Sequence, residues 1–197
     1  MTLHTVLYNY PVPSDAIALN VTSWSKEWTR CLSPYFLGPV EVASGIWAKS
    51  IENGFQYSKL YPDFAKNDEP LPEWWFWAQA GWRNPRPIHH PFGKKRADLG
   101  YVVVEDHGSN FFKWKIISHD EARNIFFVRW YADLVQKTPE YQALKELYQH
   151  AEQDIYLVDF EGYLYDREHL KMADILASPV PFGQGMVLSW LLIGELS

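Results

Sequence analysis

Apolar and polar positions along the chain predict short strands near its start and longer helices after them. Residues 3–9, LHTVLYN, alternate loosely and read as a strand, and residues 17–22 as another. After the turn-rich run 34–39, residues 40–43 read as a third strand. A helix is predicted over 49–61, because Pro62 pushes the residue before it out of the helical region. Ser50 is placed to cap its start. Residues 63–71 are polar with prolines nearby and read as a loop. Pro72 opens a second helix, EWWFWAQAGW, ending at Gly81. Its Trp74, Trp75 and Trp77, with Trp82 just beyond, cover almost every face. Such a helix is buried on several sides or turns one side to a ligand.

The stretch 84–95, NPRPIHHPFGKK, is too rich in proline for a regular element. Residues 101–105 and 111–117 read as two strands paired across the turn DHGSN. A helix over 120–138 follows, capped by Ser118 or Asp120 with Glu121 in its first turn. Pro139 starts another, to about residue 151. Residues 155–160, IYLVDF, form an apolar run of strand length, and the last helix is predicted over 185–196. Repeats, low-complexity tracts and linkers are absent from the sequence. The pattern predicts an α+β fold, mainly helical with a few short strands, as one domain over 1–197.

Composition agrees with a globular chain: 197 residues suffice for one sizeable core, and 47% hydrophobic with 21% charged residues argues against disorder. The outlier is the aromatic content, 17% with 10 Trp, more than a small core needs, so some rings are expected to line a cleft. A net charge of −6 argues against a general phosphate-gripping surface, leaving Lys94, Lys95 and Arg96 as a local basic patch. Cys31 is the single cysteine, which excludes an internal disulfide and a cysteine-rich zinc site; an inert buried thiol is expected. The N-terminus lacks a signal-peptide pattern. The longest apolar run, 186–194, is interrupted by Ser189 and falls short of the roughly 20 residues that span a bilayer. A soluble, cytoplasmic protein with no membrane partner is predicted.

The densest chemistry lies in WAKSIENGFQYSK, residues 47–59. Glu52, Gln56 and Lys59 stand at i, i+4 and i+7, one row on a helix of about 3.6 residues per turn. Ile51 and Phe55 form an adjacent apolar stripe, and Trp47, Tyr57 and Tyr61 flank the row. A surface helix turning its charges outward explains the pattern without chemistry. A carboxylate, an amide and an ammonium beside aromatic walls also suit an aromatic or nucleotide-like ligand. His89, His90, His107 and His119 invite a metal, but adjacent histidines diverge in extended backbone and no zinc-protease spacing accompanies them. A loop histidine bonded to backbone is the expected outcome, and no metal is assigned. Serine-nucleophile and phosphate-loop motifs are absent. Gly183-Gln184-Gly185 before a helix offers backbone N–H groups to an anion, or is simply a turn. Asp159 stands at the end of an apolar strand, followed by Glu161 and Asp166. It is a candidate site carboxylate, or else it caps a helix or braces the turn at Gly162.

Taken in order, these pieces resemble the NADAR family, whose members handle NAD- and ADP-ribose-type compounds. Trp47, Ser50, Glu52, Phe55, Gln56 and Lys59 match the family's best-known stretch, with Asn53 in place of a usual histidine. Arg123, Ala132, Gln136 and Pro139 or Glu140 fit a later helix loosely. IYLVD resembles the family's Leu-Val-Glu strand, with Asp159 in the glutamate's place, and GQGMVLSWLLIGEL resembles its ending, without the usual asparagine. The family's Trp-Gly-x-Gly segment has no clear counterpart. The resemblance spans about residues 40–196, is most specific at 47–59, and suggests a divergent, phage-type member. It implies hydrolysis of a ribose C1′–nitrogen bond in a nucleotide or ADP-ribosylated nucleic acid, without a cofactor. On that basis Glu52 stabilises the ribosyl cation, Lys59 serves the leaving base, and Asp159 binds ribose or acts as a second carboxylate. Gln56 bonds ribose or base, Trp47, Tyr57 and Trp82 stack the base, and Gly185 lies against the ligand. A nucleotide-binding module without turnover, and a structural protein whose tryptophans are all core, are the competing expectations.

Overall fold

The structure is a computed structural model and describes residues 1–67, 69–89, 98–106, 112–161, 171–176 and 182–196. In chain order they form β1 (Leu3–Leu7), β2 (Ile17–Asn20), β3 (Val40–Ala43), β4 (Ile46–Ala48), α1 (Ile51–Gln56) and β5 (Lys59–Leu60). Next come β6 (Ala65–Lys66), β7 (Glu69–Pro70), α2 (Pro72–Trp82), β8 (Gly100–Asp106), β9 (Phe112–Ile117) and α3 (His119–Arg123). A wider, π-helical stretch (Asn124–Tyr131) leads into α4 (Ala132–Val135), then α5 (Pro139–His150), β10 (Ile155–Asp159), α6 (Met172–Leu176) and α7 (Gln184–Ile193). Of the described residues 41% are helical and 23% lie in strands, so the fold is α+β with helices dominant. Its strands are more numerous than the alternation predicts, because β4, β5, β6 and β7 are too short to show a period. Among the described residues no helix is long and apolar enough to cross a membrane.

The chain packs as two compact units, residues 1–37 with 127–197, and residues 38–126. In the first, β10 lies between β1 and β2 and runs parallel to both. A parallel strand flanked on both sides reads as a continuous apolar run, and all five residues of β10 are buried. Helix α7 packs on β1 and β10, and every residue from Gln184 to Leu191 is buried. Inside that layer Thr5 and Ser189 join hydroxyls at 2.8 Å, satisfying two polar groups that burial would otherwise penalise. The helix stops at Gly194, whose φ of +79° is the left-handed conformation that favours glycine. Cys31 sits on the single turn Trp28–Leu32 and is exposed rather than buried. Desolvation by its surroundings, with the Glu140 carboxylate adding, pushes its thiol pKa up and disfavours the thiolate.

In the second unit, β3 and β4 form a hairpin turned at Gly45, and β5, β8 and β9 form an antiparallel sheet. The predicted helix over 49–61 is cut short. It begins where Ser50 caps it but ends at Gln56, and Lys59 and Leu60 pair with Tyr101 and Gly100 instead. Ser58 turns the chain: its hydroxyl donates to Gly54 O at 2.7 Å, while its carbonyl accepts from Val102 N at 2.7 Å. Sheet pairing and a local hydroxyl bond together replace the last helical turn. The loop over 63–71 holds a hairpin, β6–β7, with Asn67 at φ +52°. The helix over 120–138 starts as predicted, in a capping box of Ser118 and Glu121, then widens at Asn124 and ends at Val135. Of the expected turn over 106–110, Asp106 ends β8, while 107–110 and the basic residues 94–96 lie outside the described residues.

Helix α2 turns Trp74, Ala78, Gly81 and Trp82 inward and leaves Phe76 exposed. Gly81 is where the Tyr57 ring lies against the helix, and a Cβ there would fall 1.8 Å from Tyr57 Cδ1. Tyr57 is buried and packed on Trp77 with ring centroids 4.8 Å apart, so it has little room to yield. Gly81→Ala is therefore expected to cost about 1–3 kcal/mol through overpacking, lowering the melting temperature by roughly 2–12 °C. An unchanged melting temperature in a thermal scan would show that the ring moves aside freely.

Candidate functional site

Helix α1 is six residues long and wholly buried, yet three of those residues, Glu52, Asn53 and Gln56, are polar. Buried polar groups require partners, and here the partners define a site. Glu52 is only 5% exposed. Its Oε1 accepts from Gln56 Nε2 at 2.9 Å and lies 3.0 Å from His89 Nδ1. Gln56 Oε1 in turn accepts from Lys59 Nζ at 2.7 Å. The lysine thus fixes which end of the amide is oxygen, and the NH₂ end faces the carboxylate. Lys59 is no longer helical, but its long side chain reaches back from β5. The row expected on one helix face is assembled across a helix end and a strand.

Burial is the largest influence on Lys59 and lowers its pKa from the usual lysine value, while Asp98 and Glu52 oppose that fall. Its ammonium also stands 5.6 Å from the Phe55 ring centroid. Tyr101, on β8, stacks on Phe55 at 4.8 Å, and its phenol pKa is pushed far up, first by burial and then by the Asp98 charge. His119 meets Phe55 and Tyr101 edge-on; burial first, then Arg123, lowers its pKa below the ordinary imidazole value. Glu52, Lys59, Asp98 and Arg123 thus place two carboxylates and two cations around this aromatic stack.

Asn53 does something the sequence pattern does not suggest. Its Nδ2 donates to Asn84 O at 2.9 Å and to Arg86 O at 3.2 Å, and its Oδ1 accepts from Ile88 N at 2.9 Å. One fully buried amide therefore holds three backbone groups of the proline-rich loop. The last described residue of that loop, His89, bonds to the Glu52 side chain rather than to backbone. His90, His107 and Asp166 lie outside the described residues.

The aromatic candidates separate. Trp47, on β4 opposite Glu41, is 51% exposed. Tyr57 and Trp82 are core: Trp82 is 1% exposed, lies edge-on to Trp74 at 5.9 Å, and presents almost no surface to an incoming ring. Burial raises the Tyr57 phenol pKa. Asp159 and Gly185 belong to the first unit. Asp159 is buried at the end of β10, accepting from Gly185 N and from Phe160 N, each at 2.7 Å. A Cβ at Gly183 or Gly185 would lie 2.5 or 3.1 Å from Asp159 Oδ2, so these glycines let the carboxylate reach the start of α7. Gly185 spends its N–H on this side chain rather than on an outside anion. Burial is the main cause that raises the Asp159 pKa to about 6, against the lowering pull of the two N–H groups.

His89 and Asn53 are residues to which the sequence pattern gives no part in this carboxylate network. Their one signal is a buried-helix asparagine and a histidine at the end of a proline-rich run, which nothing in the sequence joins. No protein-family model, curated protein or solved structure matches the chain.

Proposed function

We propose that the chain is an N-glycoside hydrolase of NADAR-like type. Its substrate class is an ADP-ribosylated base, an NAD-related compound or another nucleotide-like molecule. The observation that carries this reading is the buried Glu52 carboxylate, held by Gln56 and His89 within a row that Lys59 orients. In the reaction the C1′–nitrogen bond breaks, and its electron pair leaves with the base. Positive charge then develops at the ribose, and water adds at C1′, its released proton balancing the departed base. A fixed carboxylate stabilises that charge most where water is excluded. Both Glu52 bonds go to Oε1, and among the described residues Oε2 takes none, so one oxygen remains to face the ribose. Lys59 is committed to Gln56 Oε1, which makes it the group that sets the direction of that amide. Trp47 offers a stacking face, worth roughly 1–3 kcal/mol per base in nucleic-acid systems. Carboxylate-assisted cleavage of this bond is complete with water alone.

The test is chromatography of wild type and Glu52→Gln after incubation with NAD, ADP-ribose, riboflavin-pathway intermediates and ADP-ribosylated guanine DNA. Free base released by the wild type is the expected result. No product, but a ligand-induced rise in melting temperature, would replace this reading with a nucleotide-binding module. Neither product nor stabilisation would sink both.

A further inference from the structure

The geometry points to a carboxylate–imidazole dyad, in which Asn53 sets His89 on Glu52 with the proton on Nδ1, leaving Nε2 as the atom that exchanges protons with the reaction. The inference deepens the N-glycoside reading and rests on it for the chemistry, though not for the dyad itself.

The tautomer follows from two distances. His89 Nδ1 lies 3.0 Å from Glu52 Oε1 and 3.0 Å from Gln56 Nε2. It can accept from the amide or donate to the carboxylate, but one nitrogen cannot do both. A bare Nδ1 lone pair 3.0 Å from a carboxylate oxygen would be repelled, whereas an Nδ1–H makes a charge-assisted bond. The Gln56 NH₂ has its own acceptor in the same Glu52 oxygen at 2.9 Å, so it does not need the ring. Nδ1–H is therefore the favoured state. Glu52 and Gln56 on α1 are the groups facing the ring among the described residues, and the Lys59 ammonium stands one link further, on Gln56 Oε1.

The ring's position is built rather than incidental. His89 is 65% exposed at the side chain while Glu52 is 6%, so the pair joins solvent to a buried carboxylate. An exposed side chain on a proline-rich loop would ordinarily sample many positions. Here the three bonds of Asn53 to Asn84, Arg86 and Ile88 hold the loop up to the residue before it. Asn53 and Glu52 are neighbours on the same short helix, so one element positions both members of the dyad. The arrangement is that of a carboxylate orienting an imidazole through Nδ1, which frees Nε2 for proton transfer. In N-glycoside cleavage, neutral Nε2 takes a proton from the attacking water as it bonds to C1′. Nε2–H of the imidazolium then returns that proton to the departed base nitrogen. The ring ends as it began, and no further reactant is consumed.

The dyad is tested without any substrate. Long-range ¹H–¹⁵N spectra of ¹⁵N-histidine-labelled protein are recorded at about pH 9, where an ordinary imidazole is neutral, with His89→Gln identifying the His89 signals. The expected result is an Nδ1–H tautomer for His89 in the wild type, reverting to the ordinary Nε2–H form in Asn53→Ala. An Nε2–H tautomer in the wild type overturns the proposal, and so does an Nδ1–H tautomer that survives Asn53→Ala in a folded protein. If Asn53→Ala does not fold, the wild-type spectrum decides. Turnover tests the role of Nε2. On whichever compound of the nucleotide panel releases base, His89→Gln should lower kcat by about 10²–10⁴-fold, with little change in KM and one limb of the pH–rate profile lost. A kcat within a factor of about two of wild type overturns the proton-transfer role. Absence of turnover by wild type on the whole panel counts against the N-glycoside reading, while an Nδ1–H tautomer in the same protein still supports the dyad.

Discussion

Glu52→Gln is expected to lower base release by roughly 10²–10³-fold, or about 3–4 kcal/mol of transition-state stabilisation, taking the loss of one preorganised electrostatic partner as the guide. The substitution is nearly isosteric. A glutamine carbonyl at position 52 can still accept from Gln56 Nε2 and from His89 Nδ1, so the network keeps an acceptor where Oε1 stands. What disappears is the charge, in a place where burial makes charge count most. Fold and ligand affinity should therefore change little while turnover collapses. Chromatographic rates on the compound that the wild type cleaves, with melting temperatures of both proteins, check the split. Equal rates would remove Glu52 from the chemistry. A large fall in melting temperature with no folded protein left would mean that the charge is structural.

Asp159 gives the second large effect, on stability rather than turnover. Its pKa rises from the unfolded value of 3.8 to about 6, with burial as the main cause. Between those values the folded chain holds a proton that the unfolded chain has already released. Stability from this group is therefore greatest in acid, falls as the pH rises through that window, and is level above about 6. A shift of about two units corresponds to on the order of 3 kcal/mol. Asp159→Asn removes the titration. Its amide nitrogen must face one of the two N–H groups now donating to the carboxylate, a penalty that does not vary with pH. Urea midpoints at pH 4 and pH 7 should show the wild type losing up to about 3 kcal/mol more than the variant between the two. Parallel losses would mean that Asp159 does not titrate in this range.

Much of the local structure was legible because its causes are local. Ser50 and Ser118 stand where a hydroxyl caps a helix, and each does so. Pro72 and Pro139 open helices at the first position, where the missing N–H costs nothing. β3 occupies Val40–Ala43 and β10 Ile155–Asp159, because alternation and an apolar run between turns suit strands. The end of α1 was not legible. Residues 57–61 suit a helix, and what ends it there is a partner strand some forty positions later in the chain. Tyr57 and Trp82 show the same gap in another form. An aromatic ring suits a core and a ligand wall equally well in sequence, and only packing against Gly81, Trp74 and Trp77 decides for the core.

By itself the sequence determined that Glu52 and Gln56 open one polar constellation, since positions i and i+4 on a capped helix start meet almost whatever follows. It also determined the α+β balance, because hydrophobic period and caps act within a few residues. Only the tertiary structure decided that the constellation is buried, that Lys59 reaches it from a strand, and that Asn53 brings His89 to the carboxylate from more than thirty residues away. Hydrogen bonds between distant segments depend on where the backbone passes in space, and no periodicity along the chain encodes that.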